Sequence, residues 1–528
     1  MTNPYAYTPD LPSFERLAGE GYNLIPVCRE IAADLETPVS AFIKVARGPN
    51  SFLFESVEGG EHVARYSFLG TEPSEVIKTG DATARGNVDP LTVLKERLEG
   101  YRYPAVEGLP KFDGGAVGYV AYDAIKYFEP RVPEISDESL GMGVPEAVFM
   151  LTDSMLIFDH VRQSIVVVAH ATIDDETDVK VAYSTATERI ETLIDRLNQP
   201  LPVSAMRRSG APTHAMSRAD DANIDYAFVG SAAAMPAGWY TDGADEAVGH
   251  RYVPNMSREN YRKMVEACKK AIYDGEIIQV VVSQRLTRRT AVEPFDLYRS
   301  LRAINPSPYM FYLDLDGFQI IGASPELLVQ SVDGQVAVHP IAGSRPRGLT
   351  PEEDDALAEE LLSDEKEIAE HVMLLDLGRN DVGRISRPGT VRVTQQLEIE
   401  RYSHIMHIVS HVEGTLDDGY DVYDVLRAGF PAGTVSGAPK IRAMEIIAEY
   451  EPDKRGPYSG AVGYFSFSGN MDTAISLRTM TLRDGVAYLQ AGGGIVADSD
   501  PQTEYEETLH KMGALMHAID HAESVMEG

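Results

Sequence analysis

Ser51-Phe52-Leu53-Phe54-Glu55 and Tyr66-Ser67-Phe68-Leu69 are short apolar and aromatic runs bounded by Gly, Ser and charged residues. That is how buried strands read. Ala41-Phe42-Ile43-Lys44-Val45, Ala147 to Leu156 and Ser164 to Ala169 read the same way. Around them, 12–37 reads as a helix, with Leu24, Ile25, Val27, Ile31 and Leu35 in rough helical spacing, and a polar helix is expected at about 177–197. Strands in runs with helices around them, rather than strict βαβ alternation, predict an α+β fold.

Outward from this region the chain changes character. Pro200, Pro202, Gly210, Pro212, Gly230, Pro236 and Gly238 break up 199–250, which also holds Trp239; the stretch reads as a linker or surface insertion. From 257 a second unit is expected. A helix from Ser257 to Tyr273 leads to the strand Ile277 to Val282, more strands lie at 309–331, and helices span about 352–377, 439–450 and 502–522. Gly115-Ala116-Val117-Gly118-Tyr119 recurs as Gly460-Ala461-Val462-Gly463-Tyr464. Two Gly-rich strand entries account for it, since no strand–Gly-loop–helix order marks a dinucleotide site.

The 528 residues exceed one ordinary core, which predicts two domains or one elaborate double layer. With 81 acidic against 47 basic residues the net charge is -34, which argues against a nucleic-acid partner. An anionic substrate would need local positive charge from Arg, Lys or a metal ion. No apolar run reaches transmembrane length and the start lacks a signal peptide's pattern, so the expectation is a cytoplasmic protein off the membrane. Cys28 and Cys268 form no metal or redox motif.

Several segments could carry chemistry. Glu367 and Glu370, and again Glu504 and Glu507, form Glu-x-x-Glu pairs, each on one helical face. Either pair alone is what a solvated acidic face looks like. Two such helices together make an oxygen-rich clamp suited to Mg²⁺. Gly492-Gly493-Gly494, read as a turn after the strand Val486 to Gln490, could bring backbone N–H groups to an anion. Gly433-Thr434-Val435-Ser436-Gly437-Ala438-Pro439-Lys440 enters a helix without phosphate-loop spacing, and could hold a carboxylate. His404, His407 and His411 are core or surface histidines, a zinc site, or an acid–base group; no H-E-x-x-H supports zinc. Arg345, Arg347 and Arg478 are ordinary ion-pair formers or anion ligands.

Taken together, Ile341 to Gly348, Asp364 to His371, Asp376 to Asp381 and Phe430 to Lys440 resemble the chorismate-utilising enzyme family, most closely its anthranilate synthase component I branch. The resemblance covers nearly the whole chain from Tyr22 and is weakest over 199–250. It implies two packed antiparallel sheets flanked by helices, with the active site between them. It implies an N-terminal regulatory domain over 1–198 and a C-terminal chorismate-binding catalytic domain over 251–528. By motif position, Glu367, Glu370, Glu504 and Glu507 match magnesium-site carboxylates. Tyr458, Arg478 and Gly494, with Gly492 and Gly493, match the holders of the enolpyruvyl carboxylate, and Lys511 belongs to the same pocket. Ala342, Gly343 and Ser344 line it, and His407 and Thr434 match the catalytic pair beside the ring.

The implied reaction is ammonia addition at C2 of chorismate, then loss of pyruvate to give anthranilate, with Glu367 assisting departure of the C4 hydroxyl and His407 the final proton removal. Family members that add water carry Lys where this chain has Gln279. Usual aminodeoxychorismate synthases carry Lys where this chain has Ala342, which cannot be a nucleophile. Rival readings are an aminodeoxychorismate synthase component I, an enzyme that stops at aminodeoxyisochorismate, and a tryptophan-binding homologue without activity. Glu55, Ser56, Pro308, Tyr309 and Met310 resemble the family's tryptophan-binding segments, which implies feedback inhibition. The expected partner is a glutamine amidotransferase, component II, in a hetero-oligomer.

Overall fold

The computed structural model describes residues 6–57, 65–81, 83–106, 108–135, 141–202, 252–402 and 405–527. His404, Trp239 and nearly all of the expected linker lie outside them. Two large antiparallel sheets dominate the described residues. One has twelve strands, in the order Leu24–Ala32, Ser164–Thr172, Ser154–Asp159, Tyr66–Gly70, Ser51–Glu55, Tyr309–Asp314, Phe318–Ser324, Thr479–Arg483, Val486–Ile495, Gln279–Arg289 and Gly437–Ala438, with Val253–Pro254 beside Gln279–Arg289. The other has ten, in the order Ile341–Pro346, Ile405–Thr415, Gln335–Val338, Leu327–Val332, Met471–Ile475, Ala461–Ser466, Gly115–Val120, Ala147–Thr152 and Glu75–Thr79, with Arg392–Arg401 beside Ile405–Thr415. This is the expected α+β two-sheet architecture. Each sheet takes strands from before 198 and from after 251, so the two portions share both cores.

Side-chain alternation explains why the strands read as continuous apolar runs. In Ala147–Thr152, Val148 and Met150 point into the core between the sheets, while Phe149 and Leu151 face an outer layer of helices. A strand buried on both faces has no polar face to show. The single run from Ala147 to Leu156 is two strands, because the chain passes from the ten-stranded sheet to the twelve-stranded one at Asp153. Short crossings between the sheets also lie between Phe318–Ser324 and Leu327–Val332, at Pro325 and Glu326, and between Met471–Ile475 and Thr479–Arg483, at 476–478. The GAVGY repeat is one of pairing: the two copies lie side by side, Gly118 opposite Gly463.

Four local expectations are corrected. The helix expected at 12–37 ends at Gly19, and Leu24–Ala32 is an edge strand. Pro26 would cost a helix interior about 3 kcal/mol, whereas an edge strand tolerates its missing N–H. Ala41 to Val45 belongs to the helix Pro38–Val45, nucleated by Pro38 at its start and a reciprocal Thr37–Ser40 capping box. The helix expected at 352–377 is two, Pro351–Ser363 and Glu365–Gly383; Asp364 ends the first and caps the second through the backbone N–H groups of Lys366 and Glu367. Gly492 to Gly494 are not a turn. They continue the strand Val486–Ile495, opposite Ser283, Val282 and Val281.

Candidate active site

The cap at Asp364 places Glu367 and Glu370 in the first turns of Glu365–Gly383, alongside the strand Ile341–Pro346. That strand is bulged between Ala342 and Ser344, where Gly343 has φ +67. The bulge turns the Gly343 carbonyl to accept a hydrogen bond from His407 Nδ1 at 3.0 Å. A side chain at Gly343 would begin 3.2 Å from Glu367 Oε2. Glycine here therefore lets the His407 strand and the Glu367 helix close on the same point. Arg345 holds the helix start, bonding Asp364 at 2.9 Å and standing 3.7 Å from Glu367.

The second carboxylate helix, Pro501–Glu527, faces the glycine strand. A β-carbon at Gly493 would sit 2.9 Å from Glu504 Oε2, and one at Gly494 would sit 2.6 Å from Gln279 Nε2. Gln279 in turn donates to Glu370 Oε1 at 3.4 Å, which ties the first Glu-x-x-Glu helix to the strand pair that holds Gly494. Lys511 bonds the Gly492 carbonyl at 3.0 Å and pairs with Glu507 at 2.6 Å. Lys511 holds the Glu507 carboxyl below its usual range, while burial, with Glu507 adding to it, pushes Glu504 up to about 6. Burial and the neighbouring Glu370 also raise Glu367. Acidic groups raised by burial and by one another are the setting a hard cation relieves.

The remaining groups stand at the sheet crossings. Glu326, at the crossing before Leu327–Val332, is buried and accepts a 2.8 Å hydrogen bond from Thr434 Oγ1. Burial raises its carboxyl to about 8 despite that bond and the nearby Arg478, so it is protonated at neutral pH. Arg478 stands at the crossing before Thr479–Arg483 with φ +46, and its charge is felt by both Glu326 and His407. Burial lowers His407 to about 4, which keeps the imidazole neutral. Since its Nδ1–H is donated to the Gly343 carbonyl, Nε2 keeps the basic lone pair. Tyr458 is buried, its hydroxyl 2.9 Å from where a Gly492 β-carbon would stand.

Most sequence-predicted site residues are thus linked through these contacts. Ala342 and Ser344 flank the Gly343 bulge. His411 is not among the groups at the bulge: it contacts His339, 3.4 Å away, and both line the large cavity described below. Glu326 was not anticipated. No local spacing marks Pro325-Glu326; its weight comes from burial beside Thr434, far away in sequence.

A separate cavity of about 1090 Å³ opens between the sheets. Glu55, Ser56, Pro308, Tyr309 and Met310 all line it, with His339, Glu400, Tyr402 and Asp472 on the opposite side. Glu55 enters that wall with its carboxylate already held by both Arg302 nitrogens, at 2.9 and 3.0 Å. Tyr402 lines the cavity and also meets the His407 ring, at 5.9 Å between centroids.

Residues 49–517 match the model of the chorismate binding enzyme family. The chain belongs to that family. Within it, the chain is 44% identical to anthranilate synthase component 1 of Pseudomonas aeruginosa, over 97% of this chain and 99% of that protein. It is 46% identical to the protein of the same name from Synechocystis sp., again over 97% and 99%. The crystal structure of anthranilate synthase component I from Streptococcus pneumoniae superposes on this family member with a TM-score of 0.70 at 36% identity, covering 92% of this chain and 98% of that one. The menaquinone-specific isochorismate synthase of Escherichia coli shares the fold, with a TM-score of 0.63 at 18% identity over 97% and 99%.

Proposed function

We propose that this chain is the chorismate-binding subunit of an anthranilate synthase, forming anthranilate and pyruvate from chorismate and ammonia as the first committed step of tryptophan synthesis. The observation that carries the reading is geometric: a buried carboxyl, Glu326, bonded by Thr434, and an imidazole, His407, whose Nδ1–H is fixed on the Gly343 carbonyl so that Nε2 is left as a base. Near-full-length identity to anthranilate synthase component 1 proteins supports it.

Among the described residues no three of His, Cys, Asp and Glu converge as a metal centre. Mg²⁺ keeps waters and takes only one or two carboxylates together with substrate oxygens, so it does not require such a cluster. Of Glu367, Glu370, Glu504 and Glu507, one or two would bind it directly and the others through its waters, and it would supply Lewis-acid polarisation of the ring carboxylate. The chain's own groups do the rest. Arg478, Lys511 and Tyr458 bind the enolpyruvyl carboxylate, supplying local positive charge in a chain of net charge -34. Ala342, Gly343 and Ser344 line the ring pocket. Glu326, oriented by Thr434, donates its proton to the C4 oxygen as water leaves and ammonia adds at C2. His407 Nε2 then takes the C2 proton as pyruvate departs and the ring aromatises. Glu326 is better suited than Glu367 to the acid role, because it is the one held protonated above neutral pH. Gln279 has no side-chain base with which to activate water, and Ala342 offers no nucleophile, which favours ammonia as the attacking group.

Ammonia would come from a separate glutamine amidotransferase subunit in a hetero-oligomer. Burial pushes both cysteine thiols, Cys28 and Cys268, up to about 12, so neither is a glutaminase nucleophile. The purified chain is expected to form fluorescent anthranilate from chorismate, Mg²⁺ and ammonium, and none when glutamine replaces ammonium. Glutamine-driven product from the single chain would refute the two-subunit reading.

The large cavity is the proposed site of tryptophan feedback, with residues 1–198 contributing Phe54 to Ser56, Tyr66, Phe68 and Pro110 to Phe112 and the catalytic portion, 251–528, the rest. Its contact with His407 through Tyr402 gives a ligand there a route to the chemistry. Ser56→Arg should fill the wall and raise the tryptophan concentration for half-inhibition by at least about tenfold, with uninhibited kcat kept. Unchanged tryptophan sensitivity in this variant would remove the cavity from the account.

A further inference from the structure

Directly behind the active site lies a guanidinium that the proposed chemistry does not use. Arg455 is fully buried, at 0% exposure. Its fork is completely engaged. Nε and Nη2 bond Glu451 at 2.8 and 2.6 Å, Nη2 also bonds the Val281 carbonyl at 2.7 Å, and Nη1 bonds the Val435 carbonyl at 2.7 Å and Ser459 Oγ at 3.3 Å. Its cation lies 5.6 Å from the Tyr458 ring centroid. Glu451 is equally committed, accepting from the Ser283 N–H at 2.7 Å and its hydroxyl at 2.9 Å.

A buried ion pair is weak evidence for stability, because desolvation consumes most of its Coulomb gain. The partners of this one are informative for another reason. Val281 is two residues from Gln279 on the same strand, Val435 follows Thr434, and Ser459 follows Tyr458. Val281 and Val435 come from other parts of the chain and Ser459 from the turn after Arg455 itself, and the one guanidinium holds all three. Its charge is paired with Glu451. Among the described residues, none of its hydrogen bonds goes to the helices that carry Glu367, Glu370, Glu504 and Glu507.

We infer that Arg455, set by Glu451, is a positioning residue that fixes the Gln279, Thr434 and Tyr458 segments relative to one another. Through them it aligns the ammonia side, the Glu326 side and the carboxylate side of bound chorismate. The inference rests on the proposed reaction. It distributes the roles unequally: substrate affinity comes largely from the carboxylate helices and Lys511, whereas alignment comes from Arg455. Misalignment of about an ångström lowers turnover far more than binding.

Arg455→Lys keeps the cation but not the planar fork. In a variant whose melting and circular dichroism show it folded, kcat for ammonium-dependent anthranilate formation should fall about 10- to 100-fold with KM for chorismate within about threefold. Ser459→Ala gives a second reading that does not disturb the buried charge. It removes one bond to the fork, and kcat should fall about two- to fivefold in a variant that stays folded, its melting temperature lowered by no more than a few degrees for the lost partner. If Arg455→Lys does not fold, the Ser459→Ala result decides. Unchanged kcat in the folded variants would overturn the inference, as would a loss confined to KM or one matching only the unfolded fraction. Absence of anthranilate from the parental chain would instead refute the underlying reaction, which separates the two failures.

Discussion

Glu507→Gln is expected to lower kcat for anthranilate formation about a thousandfold, the effect of several kcal/mol of lost charge stabilisation. Glu507 is held ionised by Lys511, 2.6 Å away, and stands one helical turn from the buried Glu504. Glutamine keeps the shape and can still accept from Lys511, so the fold has little reason to respond. Both side chains of the Glu507–Lys511 pair are half-exposed, and such pairs contribute only about 0–1 kcal/mol. The melting temperature should therefore move by no more than a few degrees while activity collapses. Chelation of Mg²⁺ in the parental chain should reproduce the loss, and added Mg²⁺ should restore it. Full turnover in excess chelator, or a variant as active as the parent, would end the cation-clamp account.

The second large effect separates the two halves of the reaction. His407→Ala removes the group that takes the C2 proton, but leaves Glu326, Thr434 and the carboxylate helices intact. This variant should still add ammonia and release water, and should accumulate aminodeoxyisochorismate while anthranilate formation falls at least about a hundredfold. Glu326→Gln should do the reverse. Its carboxyl, raised to about 8, is the proton source for the departing C4 oxygen, and an amide of the same shape cannot supply it. That variant should form neither intermediate nor product, by a comparable factor. Chromatography of both reaction mixtures reads the outcome. Anthranilate at the parental rate from His407→Ala would remove its assigned role, and accumulation of the intermediate by Glu326→Gln would show that the acid lies elsewhere.

How much of this was legible beforehand follows from the range of the interactions. The Glu-x-x-Glu pairs are visible because helical period is local: three residues bring two carboxylates to one face. The strands around Ser51 to Glu55 and Tyr66 to Leu69 are visible because burial on both faces leaves an unbroken apolar run. The same property misleads at Leu24 to Ala32, where such a run mimics a helix until Pro26 is weighed. It hides the sheet crossing at Asp153 inside one apparent strand. Gly492 to Gly494 look like a turn because glycine usually marks one. Their role is set by Glu504, Gln279 and Tyr458, which occupy the space where side chains would stand. Glu326 was silent for a related reason. A carboxyl becomes an acid at neutral pH through burial, and the groups that enclose it, Thr434 and Arg478, come from distant segments.

The central claim is that this chain places nitrogen from ammonia on C2 of chorismate and then expels pyruvate. The measurement that tests it most directly is nuclear magnetic resonance of the reaction of the purified chain with chorismate, Mg²⁺ and ¹⁵N-ammonium. The account predicts anthranilate with ¹⁵N bonded to the ring carbon beside the carboxylate, and one pyruvate per anthranilate. Label at C4, as in 4-amino-4-deoxychorismate, accumulation of aminodeoxyisochorismate as the end product, or an unlabelled hydroxylated product would contradict it.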